Sequence, residues 1–436
     1  MCVSTADVVA SVKAGRASGL PVAVRTTGHH MSGFASVDDG LIIDLSRLRG
    51  VSLDLENRLA TVRPGTRNSD LDRATFPEGF MCPTGTCEDV AVGGAHLMGG
   101  WSFLSTTRGF ACDSIVELEV VTADGEVLIA NERENPDLFW AMRGAGWNFG
   151  IATRLTYKMY PIPRKVYGGL LLYDVDDLAG TLRGLQAFWD GAPNEVVYEI
   201  MIIPAPQDQI ERGRSGPFEV RLETVYVGEF EEGVKALAPL FDIAPVKDDN
   251  LRAMDFPNIN LTSGIGTRGG ARHHWTTQHI PAFNEDIINV IVKKAEELRE
   301  TQAAIRAGSS AEDSRHRIYA DHIYFYPYKG EMCRIPEDFN AYGRRDPGWI
   351  AQILVAWGED DERIEERVAW GDAYRDELEP FSYRNGYLNS TIYTGVEQVK
   401  LAYGDAKFRK LQRLKAKYDP DNFFNRNFNI PPDANA

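Results

Sequence analysis

The pattern of apolar positions changes near residue 163. Before that point the apolar runs are short. A helix opens the chain, capped by Ser4 or Thr5, with Val8, Val9, Val12 and Ala14 on one side and Gly19 at its end. Pro21–Arg25, Leu41–Leu45 and Arg58–Arg63 read as strands, and Asp70–Phe76 as a helix. Ser114–Thr122 alternates, Ala123-Asp124-Gly125-Glu126 supplies a turn, and Val127–Ile129 returns. Gly150–Tyr160 is a further strand, with Ile151, Thr153, Leu155, Tyr157 and Met159 on one face. Pro161-Ile162-Pro163 then stops pairing and marks a boundary. Beyond it, long strands (Tyr167–Tyr173, Val197–Ile203, Phe218–Tyr226, His322–Tyr326) alternate with amphipathic helices. The helices are Asp177–Trp189, Phe230–Ala238, Asn284–Glu300 and Asp361–Leu378. This predicts an α+β fold, with an antiparallel sheet covered by helices in a domain spanning 164–393. Residues 1–163 form a first domain, and 394–436 a C-terminal segment that begins as a helix.

A length of 436 residues fits two or three domains. A net charge of −16, without a basic stretch, argues against nucleic acid as a partner. No apolar run is long enough to span a membrane, and Met1–Asp7 lacks the features of a signal peptide. Five scattered cysteines are no disulfide framework and predict a cytoplasmic protein, although Cys82 and Cys87 share a loop and can pair.

Two glycine-rich segments carry the candidate chemistry: Arg25-Thr26-Thr27-Gly28-His29-His30-Met31-Ser32-Gly33 and Cys82–Gly94. Gly144-Ala145-Gly146-Trp147-Asn148-Phe149-Gly150 is one residue too long for a nicotinamide fingerprint and leads into a strand. No phosphate-binding G-x-x-x-x-G-K-[ST] loop and no G-x-S-x-G elbow occurs. What remains is successive backbone amides in glycine turns, which form nests for a pyrophosphate, or turns and nothing more.

Arg25–Gly33 resembles the first flavin loop, R-x-G-G-H, of enzymes that bind FAD in the vanillyl-alcohol-oxidase (PCMH-type) manner. Cys87-Glu88-Asp89-Val90-Ala91-Val92-Gly93-Gly94 resembles the C-x-x-V-x-V-G-G of the berberine bridge enzyme-like branch. Ile115–Thr153, with Asp137–Gly144 and Asn148-Phe149-Gly150, is similar to that family almost continuously, as is Lys417–Ile430. The middle matches thinly, at Tyr328–Met332 and at Gly386-Tyr387-Leu388-Asn389. The short C-terminal segment is similar to that of 6-hydroxy-D-nicotine oxidase-like bacterial members.

The resemblance implies an FAD domain built from residues 1–163 and the C-terminal segment, and a substrate domain over the flavin ring. It implies His29 bonded to the 8α carbon of the isoalloxazine and Cys87 to C6, which fixes the ring and raises its potential. Arg25, Thr26, Thr27, Gly28 and Gly33 are then cofactor-binding, with His30 a hydrogen-bonding neighbour that competes for the link. Val90, Val92, Gly93 and Gly94 belong to the second loop, and Gly150, Ile151, Asn389 and Asn427 complete the set. Cys82 lacks the motif context. Either cysteine is otherwise an inert thiol. Valine at Val90 goes with oxidases in this family, a bulkier leucine with dehydrogenases, so O2 is the expected acceptor. The plain alternative is a core valine in a buried strand.

For the substrate side, a base must take a proton while a hydride leaves carbon. Tyr387 is one candidate. Many relatives have a second tyrosine after the Asn, where this chain has Ser390, which puts a tyrosine base in doubt. His322, Tyr324 and Tyr326 share one strand face and either line a substrate pocket or form an aromatic core. Amine-oxidising relatives need no strong base. The histidines of His273–His279 lack a metal-ligand spacing, and no metal is expected. Thr27 replaces a usual glycine, and Trp101 follows Gly99-Gly100 where a third glycine is common. The family has a lead-in before the segment that opens this sequence, so either the start is internal or the chain is natively shortened, and the second case predicts an exposed sheet edge.

The expectation is an FAD-dependent oxidase that takes two electrons from a small-molecule alcohol or amine and passes them to O2, in specialised (secondary) metabolism. The alternatives are an oligosaccharide oxidase, a dehydrogenase with another acceptor, and a flavin-binding non-catalytic protein.

Overall fold

The computed structural model describes residues 1–261, 272–307, 321–357, 363–383 and 387–433. They form two compact units, one of 1–162, 330–345 and 385–436, the other of 163–329 and 346–384.

In the first unit the opening helix is Thr5–Ser18, and its ends follow from local chemistry. The Ser4 hydroxyl accepts from the Asp7 N–H at 3.2 Å, while the Asp7 carboxylate accepts from the Ser4 N–H at 2.9 Å. Gly19 ends it at φ 67°, a left-handed conformation that glycine adopts without strain. Strands β1 (Val22–Arg25) and β2 (Leu41–Asp44) pair in parallel. β3 (Val51–Asp54), β4 (Leu59–Val62), β6 (Ile115–Val121), β7 (Val127–Asn131) and β8 (Ile151–Lys158) form one antiparallel sheet in the order β3-β4-β8-β6-β7. Short strands β5 (Phe80–Met81) and β9 (Tyr160–Pro161) pair separately. Leu118, Leu155, Tyr157, Phe139 and Met142 build the core together with Leu388, Leu411, Phe428 and Ile430 from the end of the chain.

The second unit holds one antiparallel eight-stranded sheet, β13-β10-β12-β11-β16-β17-β15, with β14 beside β10. The ranges are β10 Val166–Val175, β11 Val196–Pro204, β12 Phe218–Tyr226 and β13 Val246–Asp249. They continue with β14 Arg252–Met254, β15 Arg272–Ile280, β16 His322–Tyr328 and β17 Gly348–Trp357. Register aligns Leu171, Leu222, Ile200, Phe325 and Ala351 in one row. That row packs on the apolar sides of helices Leu178–Gly191, Glu285–Ala307 and Ile364–Leu378. Alternation along each strand turns the other set of residues to the opposite face. The α+β class with helices on an antiparallel sheet is therefore met.

The sequence reading runs the second domain unbroken from 164 to 393, whereas 330–345 and 385–393 pack in the first unit. The reason is electrostatic. Buried Asp113 accepts from Arg345 at 2.6 and 3.0 Å and from Asn340 at 2.6 Å. The side chains of Asp113 and Arg345 are each only 2% exposed, so either would be costly alone.

Candidate functional site

β1 runs into the first glycine loop. Arg25, at its end, pairs with Asp44 at the end of β2 at 2.7 Å. Burial pushes the Asp44 carboxyl up, but Ser46 and Arg25 outweigh it and hold the group at about 2. Arg25 thus fixes the start of the loop. Gly28 and Gly33 take φ of 77° and 68°, which bends the backbone between them.

The two histidines separate. The His30 ring lies among Phe34, Trp147 and Phe428, with centroids 5.1–5.3 Å away. Its Nε2 donates to the Leu388 carbonyl at 3.0 Å, and its Nδ1 accepts from the Ser32 N–H at 3.2 Å. Both nitrogens are engaged, and burial holds the imidazole below its ordinary value. His29 is exposed and lies against Asp89 of the second loop. The surrounding loops lower its pKa, the Asp89 carboxylate opposing and Arg67 adding to the effect.

The second loop is held from below by the start of helix Asn68–Thr75. The Asn68 amide donates to the Cys87 carbonyl at 2.9 Å, the Asn68 N–H to Val90 at 2.9 Å, and Arg67 pairs with Asp89 at 2.6 Å. The Ala91 N–H donates to the Thr27 hydroxyl at 3.0 Å, so the residue that departs from the usual glycine ties the two loops together. Trp147 adds a bond from its indole N–H to the Gly94 carbonyl at 2.9 Å. A Cβ on Gly93 would lie 2.4 Å from Pro64, so only glycine lets these segments approach. A Cβ on Gly94 would come within 3.4 Å of the Thr26 hydroxyl.

Cys87 is half-buried with a free thiol, and burial raises its pKa while the Asp89 and Val90 N–H groups oppose. Cys82 is a separate free thiol, wholly buried and pushed far up by burial. Val90 is half-buried and lies in the turn region, outside any strand, while Val92 is buried at the start of a short helical turn. The core-strand alternative for Val90 therefore lacks its strand.

Tyr387 is buried, and three N–H donors converge on its hydroxyl: Gly100 at 3.0 Å, Trp101 at 3.1 Å and the Asn389 amide at 2.9 Å. Burial raises its pKa and these donors oppose. The Asn389 amide also reaches the Ala95 carbonyl at 2.9 Å. Gly386, the first residue of that motif, lies outside the described residues. Gly150 adjoins β8, and Ile151 packs with Val22, Ile43 and Phe424, a core role. Asn427 donates to the Trp147 carbonyl at 2.7 Å.

These residues fit a large cofactor. Asn427 Oδ1 and Asn429 Oδ1 are buried acceptors with no partner in the protein, which the O–H and N–H groups of a dinucleotide satisfy. Several supports were not foreseen: Asp44, Trp147, Phe34 and Lys415. Lys415, wholly buried, donates to Asp419 at 2.6 Å and to the Asn148 and Phe424 carbonyls at 2.7 and 2.9 Å. Their only sequence signal is proximity to the matched motifs.

In the second unit His322, Tyr324 and Tyr326 do share one face of β16, opposite Ile323 and Phe325 of the apolar core. Their neighbours there are Glu199, Arg221 and Glu223, which the sequence reading missed. The signal available was a lone carboxylate inside Val196–Ile203. Of the histidine-rich strand, His274 pairs with Asp372 at 2.8 Å on the helix side.

Residues 1–131 match the FAD binding domain family, and residues 374–431 match the berberine and berberine like family. An (R)-6-hydroxynicotine oxidase of Paenarthrobacter nicotinovorans is 27% identical over 99% of this chain and 90% of its own. An FAD-linked oxidoreductase of Pyricularia oryzae is 28% identical over 98% of this chain and 82% of its own. Among solved structures, 6-hydroxy-D-nicotine oxidase from Arthrobacter nicotinovorans superimposes with a TM-score of 0.86 at 24% identity, covering 99% of this chain and 91% of that one. A xylooligosaccharide oxidase from Myceliophthora thermophila does so with 0.82 at 22%, covering 99% and 91%. With the loop geometry above, these matches define an FAD-dependent oxidoreductase of the oxidase type. More narrowly, the two matched segments and these relatives support a berberine bridge enzyme-like, PCMH-type FAD oxidase.

Proposed function

We propose that this oxidase holds FAD covalently through His29 and Cys87 and oxidises a small-molecule amine or alcohol, with O2 accepting the electrons. The observation that carries this is the hydrogen bond from the Ala91 N–H to the Thr27 hydroxyl, 3.0 Å, which ties the histidine loop to the cysteine loop. His29 is favoured over His30 because both nitrogens of His30 are already engaged. Bound there, FAD supplies two-electron oxidation of substrate carbon and delivery of those electrons, with two protons, to O2 as H2O2. The chain supplies position. Arg25 and Asp44 anchor the first loop, Asn68 and Arg67 the second, and Asn427 turns an acceptor toward the cofactor.

Tyr387 serves as a positioning residue. Its oxygen receives three N–H donors and so joins the Tyr387–Ser390 turn to the Gly100-Trp101 backbone. Val90, small and outside a strand, supports O2 as acceptor. A second reading, an oligosaccharide oxidase, is favoured by the ladder of Tyr324, Tyr326 and Tyr328, whose successive ring centroids are 6.1 and 6.5 Å apart on one face.

Acid precipitation tests the links. Wild-type protein keeps its yellow colour in the washed pellet, H29A or C87A alone keeps part of it, and the double variant releases all of it. Release from the wild type removes both covalent assignments. Hydrogen peroxide formation in air, screened over amines, alcohols and oligosaccharides, separates the substrate classes.

A further inference from the structure

The contact between the two glycine loops continues past Thr27. The segments run in opposite senses: Thr27 meets Ala91 at 3.0 Å, and two residues further along His29 meets Asp89. The His29 ring hydrogen-bonds the Asp89 main chain, and since this bond raises the pKa, the ring donates and the Asp89 carbonyl accepts. Donation fixes the tautomer. The nitrogen facing the carbonyl carries the hydrogen, and the other nitrogen carries a lone pair. Charges face the ring from two elements, the Asp89 carboxylate of the second loop and Arg67 at the head of helix Asn68–Thr75. These two pair with each other at 2.6 Å. The Arg67 backbone also bridges to Ala91, which ties the arginine to the same loop.

A ring nitrogen that bonds to carbon must offer a lone pair, so the ring has to be neutral beforehand. Desolvation by the surrounding loops, then Arg67, lower the His29 pKa while Asp89 opposes, which leaves the ring neutral at pH 7. As the bond to carbon forms, the imidazole becomes positive. Its remaining N–H is then a charge-assisted donor to the Asp89 carbonyl, with the Asp89 carboxylate alongside. The same residue therefore orients the neutral ring and stabilises the charge that develops on it.

We propose that Asp89, held by Arg67, orients and activates His29 for covalent attachment of the flavin. This rests on the His29 link proposed above. In the step, a C–N bond forms between the lone-pair nitrogen and the 8α carbon, and one C–H bond of that methyl group breaks. The methyl proton and the imidazole N–H proton leave to solvent. The electron pair of the broken C–H bond stays on the isoalloxazine, and O2 takes it up with two protons as H2O2. Asp89 and Arg67 both act through the ring, so both are positioning residues.

The test measures attachment, not turnover. Full-length apoprotein from riboflavin-starved cells carries C87A, so that only the His29 link is read. It is mixed with FAD in air between about pH 5 and 9, and bound flavin is followed by fluorescence in denaturing gels. The rate should rise with pH through a single midpoint as the ring loses its second proton. D89N removes the carboxylate, so the midpoint should fall by about half a pH unit or more and the plateau rate by roughly tenfold. R67Q removes the opposing charge and should raise the midpoint, while R67K should keep it at the wild-type value. A merely structural role would slow attachment without moving the midpoints in opposite directions. Midpoints that stay in place, or that shift the same way, overturn the proposal. Should R67Q fail to fold, the D89N midpoint and plateau decide alone. Absence of covalent flavin from the C87A protein overturns the His29 link and this proposal with it, whereas attachment with unmoved midpoints overturns only the role of Asp89 and Arg67.

Discussion

The two units distribute their buried polar groups differently. In the first, the polar groups around the candidate cofactor loops lock backbone segments: Arg25 on Asp44, His30 on Leu388, Tyr387 under three N–H donors, Arg345 on Asp113. In the second, Glu199 Oε2 and the Thr277 hydroxyl are buried on the sheet face opposite the helices without a hydrogen-bond partner. The first unit's bonds stabilise one geometry of the loops, while the Asn427 and Asn429 side-chain oxygens stay buried without a partner in the protein.

That contrast predicts a graded series. D113A should have the largest effect, because it leaves the Arg345 guanidinium buried without its partner. The expected loss is about 3–5 kcal/mol, read as a lowered midpoint in denaturant with the 330–345 segment becoming protease-sensitive. Retention of wild-type stability would show that this pair does not hold the segment.

Acid should come next. His96 is wholly buried, with Nδ1 3.0 Å from the Tyr157 hydroxyl, and burial lowers its pKa to about 3. The unfolded chain takes up this proton near 6.5 and the native state only near 3. Stability should therefore be flat above pH 6.5 and fall as the pH drops from 6.5 toward 3. H96Q should flatten that slope in thermal melts, and an unchanged slope would assign it to other groups.

Y387F removes the acceptor of three N–H groups and should cost about 1–3 kcal/mol. As a positioning change it should also lower the flavin content of purified protein while leaving the pH profile of any remaining activity in place. A shift of that profile would instead make Tyr387 the base. T27V leaves the Ala91 N–H unsatisfied, with an expected cost of about 1 kcal/mol. Slower covalent flavin incorporation, followed by in-gel fluorescence, is its second readout. E199Q keeps the shape of the buried, protonated carboxyl and should cost at most about 1 kcal/mol in stability. A large loss there would erase the contrast between the units.

Much of the first unit was legible in the chain. The capping of Thr5–Ser18, the hairpin around Gly125 and the glycine loops are dictated by neighbours a few residues apart, and local chemistry is written locally. The two cofactor loops and the FAD-binding resemblance followed from such segments. What lay across long separations was not legible: the partner of His30 is the Leu388 carbonyl, and that of Arg25 is Asp44. Thr27 read as a defect in the glycine motif until the fold placed its hydroxyl under the Ala91 N–H. On the sheet, period-two alternation told which residues share a face of β16. Only the register of five strands decided that Glu199, Glu223, Arg221, Tyr324 and Thr277 share it too. The sequence by itself determined the elements, the cofactor loops and the class of chemistry, because each rests on short-range sterics and periodicity. The tertiary structure decided which polar groups are spent on the fold and which stay without a partner, because that depends on segments brought together from 19 residues apart (Arg25 and Asp44) to 358 (His30 and Leu388).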